Sequence, residues 1–304
     1  MQRLTLDAPA KINLFLAVFP IVTNGRHSLS SIFSKLSLCD TLEFCLDEER
    51  GPGISLDIDY HEEIDPLSIP YEDNIICKTV HSFMELTGKP LGGHLHVRLT
   101  KRIPEQGGLG GGSSDAAATI RALAHFHGFA VQDATMLSLA SRIGSDTPFF
   151  LYGDCALMSG NGEAHIQNLP QPHLDLVLVK PKAGVSTRAA YEEFDRNVQV
   201  ADDVSPLITA LLSEELDIPT IAANLHNNLY PAAKTILPEL GQLVDNLSAQ
   251  PGVIRALLTG SGATVFAVCE DATAANIIEK HFANRGYWAK ACTTLRTTAE
   301  QASD

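Results

Sequence analysis

Five glycines fall within six positions in the stretch Pro104-Glu105-Gln106-Gly107-Gly108-Leu109-Gly110-Gly111-Gly112-Ser113-Ser114-Asp115-Ala116-Ala117. The stretch joins a strand-like segment, residues 93–100, to an alanine-rich segment, residues 113–127, that favours a helix. Glycine lets several backbone N–H groups converge because no Cβ intervenes, and a helix N-terminus adds unpaired donors and a positive dipole end. The stretch therefore predicts a phosphate-binding loop that needs no net positive charge, with Ser113 or Ser114 capping the helix or binding Mg²⁺.

Two familiar phosphate-binding patterns do not fit this loop. A Walker A loop requires lysine after its last glycine, whereas Gly112 is followed by Ser113. The dinucleotide fingerprint G-x-G-x-x-G finds no register because Leu109 interrupts the glycines. A flexible surface turn, or a helix merely capped by Ser113, remains as the structural alternative.

Two ionisable residues are candidates for chemistry. Lys11, in Pro9-Ala10-Lys11-Ile12-Asn13-Leu14, lies on a predicted strand among apolar neighbours, where a partly desolvated ammonium could reach phosphates. Asp146, in Gly144-Ser145-Asp146-Thr147-Pro148, precedes an apolar run and could act as a general base for a hydroxyl. The alternatives are a solvated strand lysine and an aspartate that caps a helix or forms a turn.

Three weaker patterns remain open. The glycine turn at residues 259–264 could approach a ligand or the first glycine loop, or could be only a hairpin turn. The turn at residues 24–29 carries His27, which could read the edge of a substrate. His94 and His96 form an H-x-H pair, but two residues on one strand face without a third ligand indicate a solvated face rather than a metal site.

Composition limits the class of protein. The chain has 304 residues, of which 45% are hydrophobic and 19% charged, so a core of one large or two smaller domains is expected. Its net charge of −14 argues against nucleic acid or anionic lipid as partners. The six cysteines form no C-x-x-C pair, the start is unlike a secretory signal, and no long apolar run occurs. We therefore expect a cytoplasmic protein with a small-molecule substrate.

Strands and helices alternate in both halves of the chain, which predicts an α+β fold with two domains. The predicted boundary lies near residue 165, giving domains of residues 1–165 and 166–304, before the polar, proline-containing residues 167–173. Further elements are predicted as follows: helices at residues 135–143, 187–195, 206–212, 230–247 and 272–284, strands at residues 174–179 and 289–295, and a hairpin of residues 254–259 and 264–269.

Taken in order, these motifs resemble the GHMP kinase family. The matching segments are residues 9–16, Gly25-x-His27, residues 104–117, residues 144–148 and residues 260–266, which together span nearly the whole chain. The resemblance implies a ribosomal protein S5 domain 2-like N-terminal domain and a ferredoxin-like C-terminal domain, with the active site between them. Residues 9–14 and the Gly25-x-His27 turn look most like members that phosphorylate, with ATP and Mg²⁺, the 2-hydroxyl of a cytidine-diphospho methylerythritol in the non-mevalonate isoprenoid pathway.

The resemblance also implies roles for individual residues. Lys11 and Asp146 match the family's catalytic pair, Asn13 its substrate site and His27 its cytosine-recognising residue. A monomer or weak homodimer is expected. The residues implied for ATP are Asn74, near the adenine, and the phosphate loop Pro104, Glu105, Gln106, Gly107, Gly108, Leu109, Gly110, Gly111, Gly112, Ser113 and Ser114, of which Ser114 is the candidate Mg²⁺ ligand.

Two departures from the family pattern bear on the site. Arg26 stands where an aromatic residue often stacks on cytosine, although a guanidinium plane can also stack on a base. Glu105-Gln106 replaces a smaller or more apolar pair at the entry to the phosphate loop. Another small-molecule kinase of the family, acting on homoserine or a sugar, and a non-catalytic nucleotide-binding homologue remain the competing functions.

Overall fold

The computed structural model describes residues 1–20, 27–66 and 69–296. The chain forms two compact units, each assembled from separate segments. The first unit contains Met1–Ala10, Leu38–Glu105 and Gly110–Tyr152, and the second contains Lys11–Ser37, Gln106–Leu109 and the chain from Gly153 onward. Two long strands, β1 (Gln2–Val18) and β2 (Leu29–Asp47), contribute residues to both units.

The first unit packs helices against a β-sheet. Strand β4 (His94–Lys101) pairs antiparallel with residues 41–47 of β2 and parallel with β3 (Gly53–Tyr60). The helices are α1 (Ile75–Thr87), α2 (Gly111–His127) and α3 (Ala134–Ile143), and short 3₁₀ turns occur at Tyr71–Asp73 and Pro148–Leu151. The helices contact one another, which buries the alanine-rich face of α2.

The alternation predicted for β4 is confirmed. Leu95, Val97 and Leu99 are buried, whereas the intervening side chains are partly or fully exposed. His94 and His96 both hydrogen-bond to the Ser55 hydroxyl at 2.9 Å. This shared partner accounts for the H-x-H pattern, because alternate residues of a strand point to the same face of the sheet.

The second unit contains a four-stranded antiparallel sheet in the order β11 (Trp288–Thr293), β7 (Asp175–Lys180), β10 (Val265–Cys269), β9 (Val253–Leu258). It also contains β5 (Cys155–Ser159), which pairs with residues 31–34 of β2 and with β6 (Ala164–Leu169), and β8 (His226–Asn227), which pairs with β1. The helices of this unit are α4 (Thr187–Arg196), α5 (Ser205–Leu211), α6 (Ile218–Ala223), α7 (Tyr230–Ile236), α8 (Glu239–Ser248) and α9 (Ala272–Ala283).

The α+β prediction is confirmed, with two corrections to helix ends. The helix predicted at residues 230–247 is two helices, α7 and α8, because Pro238 lacks an N–H and disfavours a helical residue before it. Helix α2 begins at Gly111 rather than Ser113. The boundary predicted near residue 165 stays a prediction for the family domains, since the two units are not contiguous in sequence.

All six cysteines are free thiols. Within the described part of the chain, no helix is both long and apolar enough to cross a lipid bilayer.

Candidate active site

Lys11 is a buried cation on β1, with only 3% of its surface exposed. Its Nζ donates a hydrogen bond to Asn13 Oδ1 at 2.8 Å and lies 4.9 Å from the centre of the Phe33 ring. Residues 11 and 13 share a face because side chains alternate along a strand. The predicted desolvation of Lys11 is confirmed, and the alternative of an ordinary solvated lysine is wrong.

Asn13 connects this lysine to the second glycine turn. Its Nδ2 donates to Ser31 Oγ at 2.8 Å, and its backbone N–H donates to Thr259 Oγ1 at 3.1 Å. The Thr259 hydroxyl in turn donates to Asn13 Oδ1 at 3.2 Å. Because both ends of the amide are bonded and buried, the orientation of Asn13 is fixed.

The two glycine turns touch at residues of the second unit. The Lys11 N–H donates to Leu109 O at 2.9 Å, and the Thr264 N–H donates to Gly107 O at 3.2 Å. Gly108 has φ +74°, and a Cβ at this position would lie 2.5 Å from Thr259 O. Only glycine permits both this dihedral and this approach. The prediction that the turn at residues 259–264 approaches the first glycine loop is confirmed.

Asn227 is a residue that the sequence analysis missed. Its Nδ2 donates to the carbonyl oxygens of Leu258 and Gly260, both at 2.8 Å. It therefore holds the backbone on either side of Thr259, the residue that bonds to Asn13. An asparagine in a two-residue strand carries no signal of this role in the sequence, because its partners are distant along the chain.

The start of α2, where the phosphate-binding loop is predicted, has backbone N–H groups that no capping side chain accepts from. The N-cap is Gly110, with φ +71° and no side chain to accept a hydrogen bond. Capping by Ser113 or Ser114 is therefore wrong, since α2 begins before both residues. The first-turn N–H groups of an α-helix have no intrahelical partner, so a glycine cap leaves them available to an anion. The Ser114 hydroxyl is buried and has no hydrogen-bond partner among the described residues.

The entry to the loop is partly enclosed. Pro104 is buried, and burial raises the pKa of the Glu105 carboxyl above its usual value. Gln106 is exposed and adopts φ 54°, a left-handed conformation that is uncommon outside glycine. The loop thus takes a left-handed turn before its first glycine.

A buried ion cluster supports the first turn of α2 within the first unit. Lys101 Nζ donates to Asp40 Oδ2 at 2.6 Å and to Asp115 Oδ2 at 2.7 Å. Asp40 also accepts from the backbone N–H groups of Arg102 and Ile103, whereas Asp115 Oδ1 has no partner among the described residues. Asp40 is thus the better-stabilised carboxylate.

The pKa shifts of the cluster follow from its burial and its charges. Burial lowers the pKa of Lys101, but the Asp115 and Asp40 side chains together raise it by more, so the net shift is upward. Burial raises the pKa of the Asp115 carboxyl well above its usual range, which favours a proton on this residue.

Replacing Lys101 by methionine should lower the free energy of unfolding by about 3–5 kcal/mol, because it leaves a buried carboxylate without its cation. Arg98→Met is the matched control on the same strand. Arg98 pairs with Asp59 at 2.7 Å, but both side chains are more than half exposed, and we expect almost no change. Urea denaturation of both variants measures the difference. Equal stability of the two variants would contradict a structural role for the cluster.

Asp146 lies in the turn between α3 and the 3₁₀ turn Pro148–Leu151, where it is half-buried. The Ser145 hydroxyl donates to its Oδ1 at 3.4 Å. Helix α3 ends at Gly144, and its N-cap is Asp133, so Asp146 caps neither end. The general-base role stays a prediction.

Asn74 is the N-cap of α1, and its buried side chain accepts a hydrogen bond from the Ile76 N–H at 2.9 Å. This capping bond is sufficient to explain an asparagine at the position. Its predicted location near an adenine stays a prediction.

His27 is held by helix α4 within the second unit. Its Nε2 lies 2.6 Å from Asp195 Oδ1, and its ring lies 4.9 Å from the Tyr191 ring, centre to centre. The His27 side chain is only 10% exposed, so it is not a plain surface turn residue. Asn24, Gly25 and Arg26, which the sequence analysis placed in the same turn, lie outside the described residues.

Comparison with known proteins gives the family. The family models for the GHMP kinase N-terminal and C-terminal domains match residues 74–154 and 207–287. The chain is 31% identical to a 4-diphosphocytidyl-2-C-methyl-D-erythritol kinase of Geobacter sulfurreducens over 295 residues, covering 97% of this chain and 100% of that protein. It is 36% identical to a kinase of the same name from a Polaromonas species, over 86% and 82% of the two chains. This chain belongs to the GHMP kinase family.

Solved structures of GHMP kinases agree with this relation. A crystal structure of 4-(cytidine 5'-diphospho)-2C-methyl-D-erythritol kinase matches with a TM-score of 0.77 at 28% identity, over 97% of this chain and 100% of that one. Homoserine kinase from Cytophaga hutchinsonii matches with a TM-score of 0.73 at 19% identity, over 97% and 95%, which shows the shared fold alone. The predicted two-domain GHMP kinase fold is confirmed, and the chain is a kinase of a family that uses ATP as phosphate donor.

Proposed function

We propose that this GHMP kinase transfers the γ-phosphoryl group of ATP to the 2-hydroxyl of 4-diphosphocytidyl-2-C-methyl-D-erythritol, in the non-mevalonate pathway of isoprenoid precursors. The observation that carries the proposal is the buried Lys11–Asn13–Thr259 network, in which the lysine motif and both glycine turns meet. Relatives that bear this activity in their names match nearly the whole chain at 31–36% identity.

The reaction forms an oxygen–phosphorus bond at the substrate hydroxyl and breaks the bond between the γ-phosphorus and its bridging oxygen, which releases ADP. The hydroxyl proton goes to the Asp146 carboxylate. The Lys11 ammonium offsets the negative charge on the transferring group. Phosphoryl transfer depends mainly on such positioning and charge neutralisation.

ATP would be held by the open N–H groups at the start of α2 and by residues 104–114 of the loop. When bound, ATP supplies the phosphoryl group, and Mg²⁺ neutralises the charge on its phosphates. The orphaned, buried Ser114 hydroxyl fits a Mg²⁺ ligand, because Mg²⁺ prefers oxygen donors and takes few of them from the protein. No cluster of three His, Cys, Asp or Glu side chains in the described chain could hold a metal alone. Ser114 would hold Mg²⁺ together with the phosphates of the bound nucleotide.

The competing functions differ in substrate or in turnover. A homoserine- or sugar-directed kinase would phosphorylate those alcohols with ATP, and a non-catalytic homologue would bind ATP and turn over none of them. The proposed enzyme should phosphorylate the cytidine substrate and leave homoserine, mevalonate and galactose unmodified. An ADP-release assay with this panel tests the proposal, and turnover of another alcohol alone would contradict it. We also propose that the protein is cytoplasmic, is a monomer or weak homodimer, and has no nucleic-acid partner.

His27→Ala should raise KM for the cytidine substrate about tenfold and leave KM for ATP nearly unchanged. A site that hydrogen-bonds a base discriminates against the wrong base because its own polar groups would be left unpaired. Steady-state kinetics with cytidine and uridine forms of the substrate measure the effect, and the cytidine-to-uridine ratio of kcat/KM should fall.

His165→Ala is the control for loss of a histidine elsewhere, since His165 lies on β6, where its Nε2 is 2.9 Å from Asn168 Oδ1. It should leave both KM values at their wild-type level. An unchanged base preference in His27→Ala would remove His27 from substrate recognition.

A further inference from the structure

The contact between His27 and Asp195 determines which ring nitrogen carries hydrogen. A carboxylate can only accept, so the 2.6 Å contact requires a hydrogen on Nε2 of His27. In a neutral imidazole the other nitrogen, Nδ1, is then a bare acceptor. Within residues 1–20, 27–66 and 69–296, no group donates to Nδ1. The pair therefore presents one acceptor of defined identity.

Neighbouring rings restrict the orientation of this imidazole. The Tyr191 ring lies 4.9 Å away at 53°, and the Phe194 ring lies 6.0 Å away at 76°, centre to centre. Both come from α4, the helix that also carries Asp195. A tilted contact with Tyr191, an edge contact with Phe194 and the hydrogen bond at Nε2 together fix the direction of Nδ1.

The position of Asp195 on α4 is unfavourable for the helix itself. Asp195 lies in the last turn, where the negative end of the helix dipole disfavours a carboxylate. Its side chain is 40% exposed and is not needed to fill the core. The bond to His27 is the interaction that compensates for this placement.

We propose that Asp195 is a specificity-determining positioning residue, which keeps His27 Nδ1 as the acceptor that selects cytosine over uracil. Cytosine presents an exocyclic amine, a donor, where uracil presents a carbonyl oxygen, an acceptor. An acceptor at Nδ1 pairs with the amine and faces the carbonyl unfavourably. This inference rests on the proposed function, since it assumes that His27 meets the base of a cytidine nucleotide.

The tautomer can be tested without any activity. Nitrogen-15 NMR of the wild-type protein, with the His27 resonances assigned by their loss in His27→Ala, should show that the neutral ring carries its hydrogen on Nε2 and has a bare Nδ1. In Asp195→Ala the ring should shift toward a mixture of tautomers. A neutral ring with its hydrogen on Nδ1 in the wild-type protein would overturn the inference.

Kinetics test the consequence for base selection. Asp195→Ala should lower the cytidine-to-uridine ratio of kcat/KM about tenfold, with KM for ATP unchanged. In the double variant His27→Ala, Asp195→Ala, the cytidine-to-uridine ratio should be no lower than in His27→Ala alone, because Asp195 acts through the His27 ring. Glu192→Ala, on the same helix and in an exposed pair with Arg188, is the matched control and should keep the wild-type ratio.

The outcomes separate this inference from the proposed function. If the wild-type protein does not phosphorylate the cytidine substrate, the proposed function fails, whereas the tautomer result stands on its own. If the wild-type protein prefers the cytidine substrate and Asp195→Ala keeps that preference, only the role of Asp195 is refuted. An additive loss in the double variant would also refute it, because it would mean that Asp195 acts apart from His27.

Discussion

Replacing Asp146 by asparagine is expected to lower kcat by about 100-fold or more and to leave the dissociation constant for ATP near its wild-type value. Asparagine keeps the size and shape of the side chain but cannot accept the hydroxyl proton at neutral pH. Asp146 lies in the turn after α3, beside Ser145 and apart from either helix cap, so the change removes no capping interaction. Single-turnover kinetics and isothermal titration with ATP separate the rate from nucleotide binding.

Asp133→Asn provides the same substitution at the opposite end of α3. Asp133 caps that helix by accepting from the Thr135 N–H, and asparagine caps helices about as well as aspartate. This control should retain wild-type kcat. Near-normal turnover in Asp146→Asn would exclude Asp146 as the general base, and an equal loss in both variants would point to a change in α3 instead.

Gly110→Val is expected to weaken ATP binding about 100-fold or more while the protein stays folded. Gly110 has φ +71° at the N-cap of α2, a conformation that a β-branched residue adopts only with strain. Relief of that strain would turn the first N–H groups of α2 away from the phosphates, so their hydrogen bonds to the anion would be lost. Titration calorimetry with ATP, alongside circular dichroism, measures the effect.

Gly128→Val places the same strain at the other end of the same helix. Gly128 is the C-cap of α2 with φ +69°, and a Cβ there would meet no atom within 4 Å. This control should lose a comparable amount of stability, about 1–3 kcal/mol, and keep its affinity for ATP. If Gly110→Val bound ATP like the wild-type protein, with a native circular dichroism spectrum, the phosphate-loop assignment would be wrong.

Local signals in the sequence determined the family, the fold class and the elements around the loop. Strand alternation at β4, the glycine stops at Gly128 and Gly144, and the clustered glycines before α2 depend on neighbouring residues only. The break at Pro238 has an equally local cause, although the apolar periodicity on both sides of it predicts one continuous helix.

Tertiary structure alone decided how the candidate residues are held. The burial of Lys11, the bonds from Asn13 to Thr259 and from Asn227 to Gly260, and the pairing of His27 with Asp195 all join positions far apart in the chain. No local pattern specifies such partners, because folding brings them together through the packing of whole strands and helices. The sequence by itself therefore determined the family and the fold class, while the fold decided how Lys11, Asn13 and His27 are buried and hydrogen-bonded.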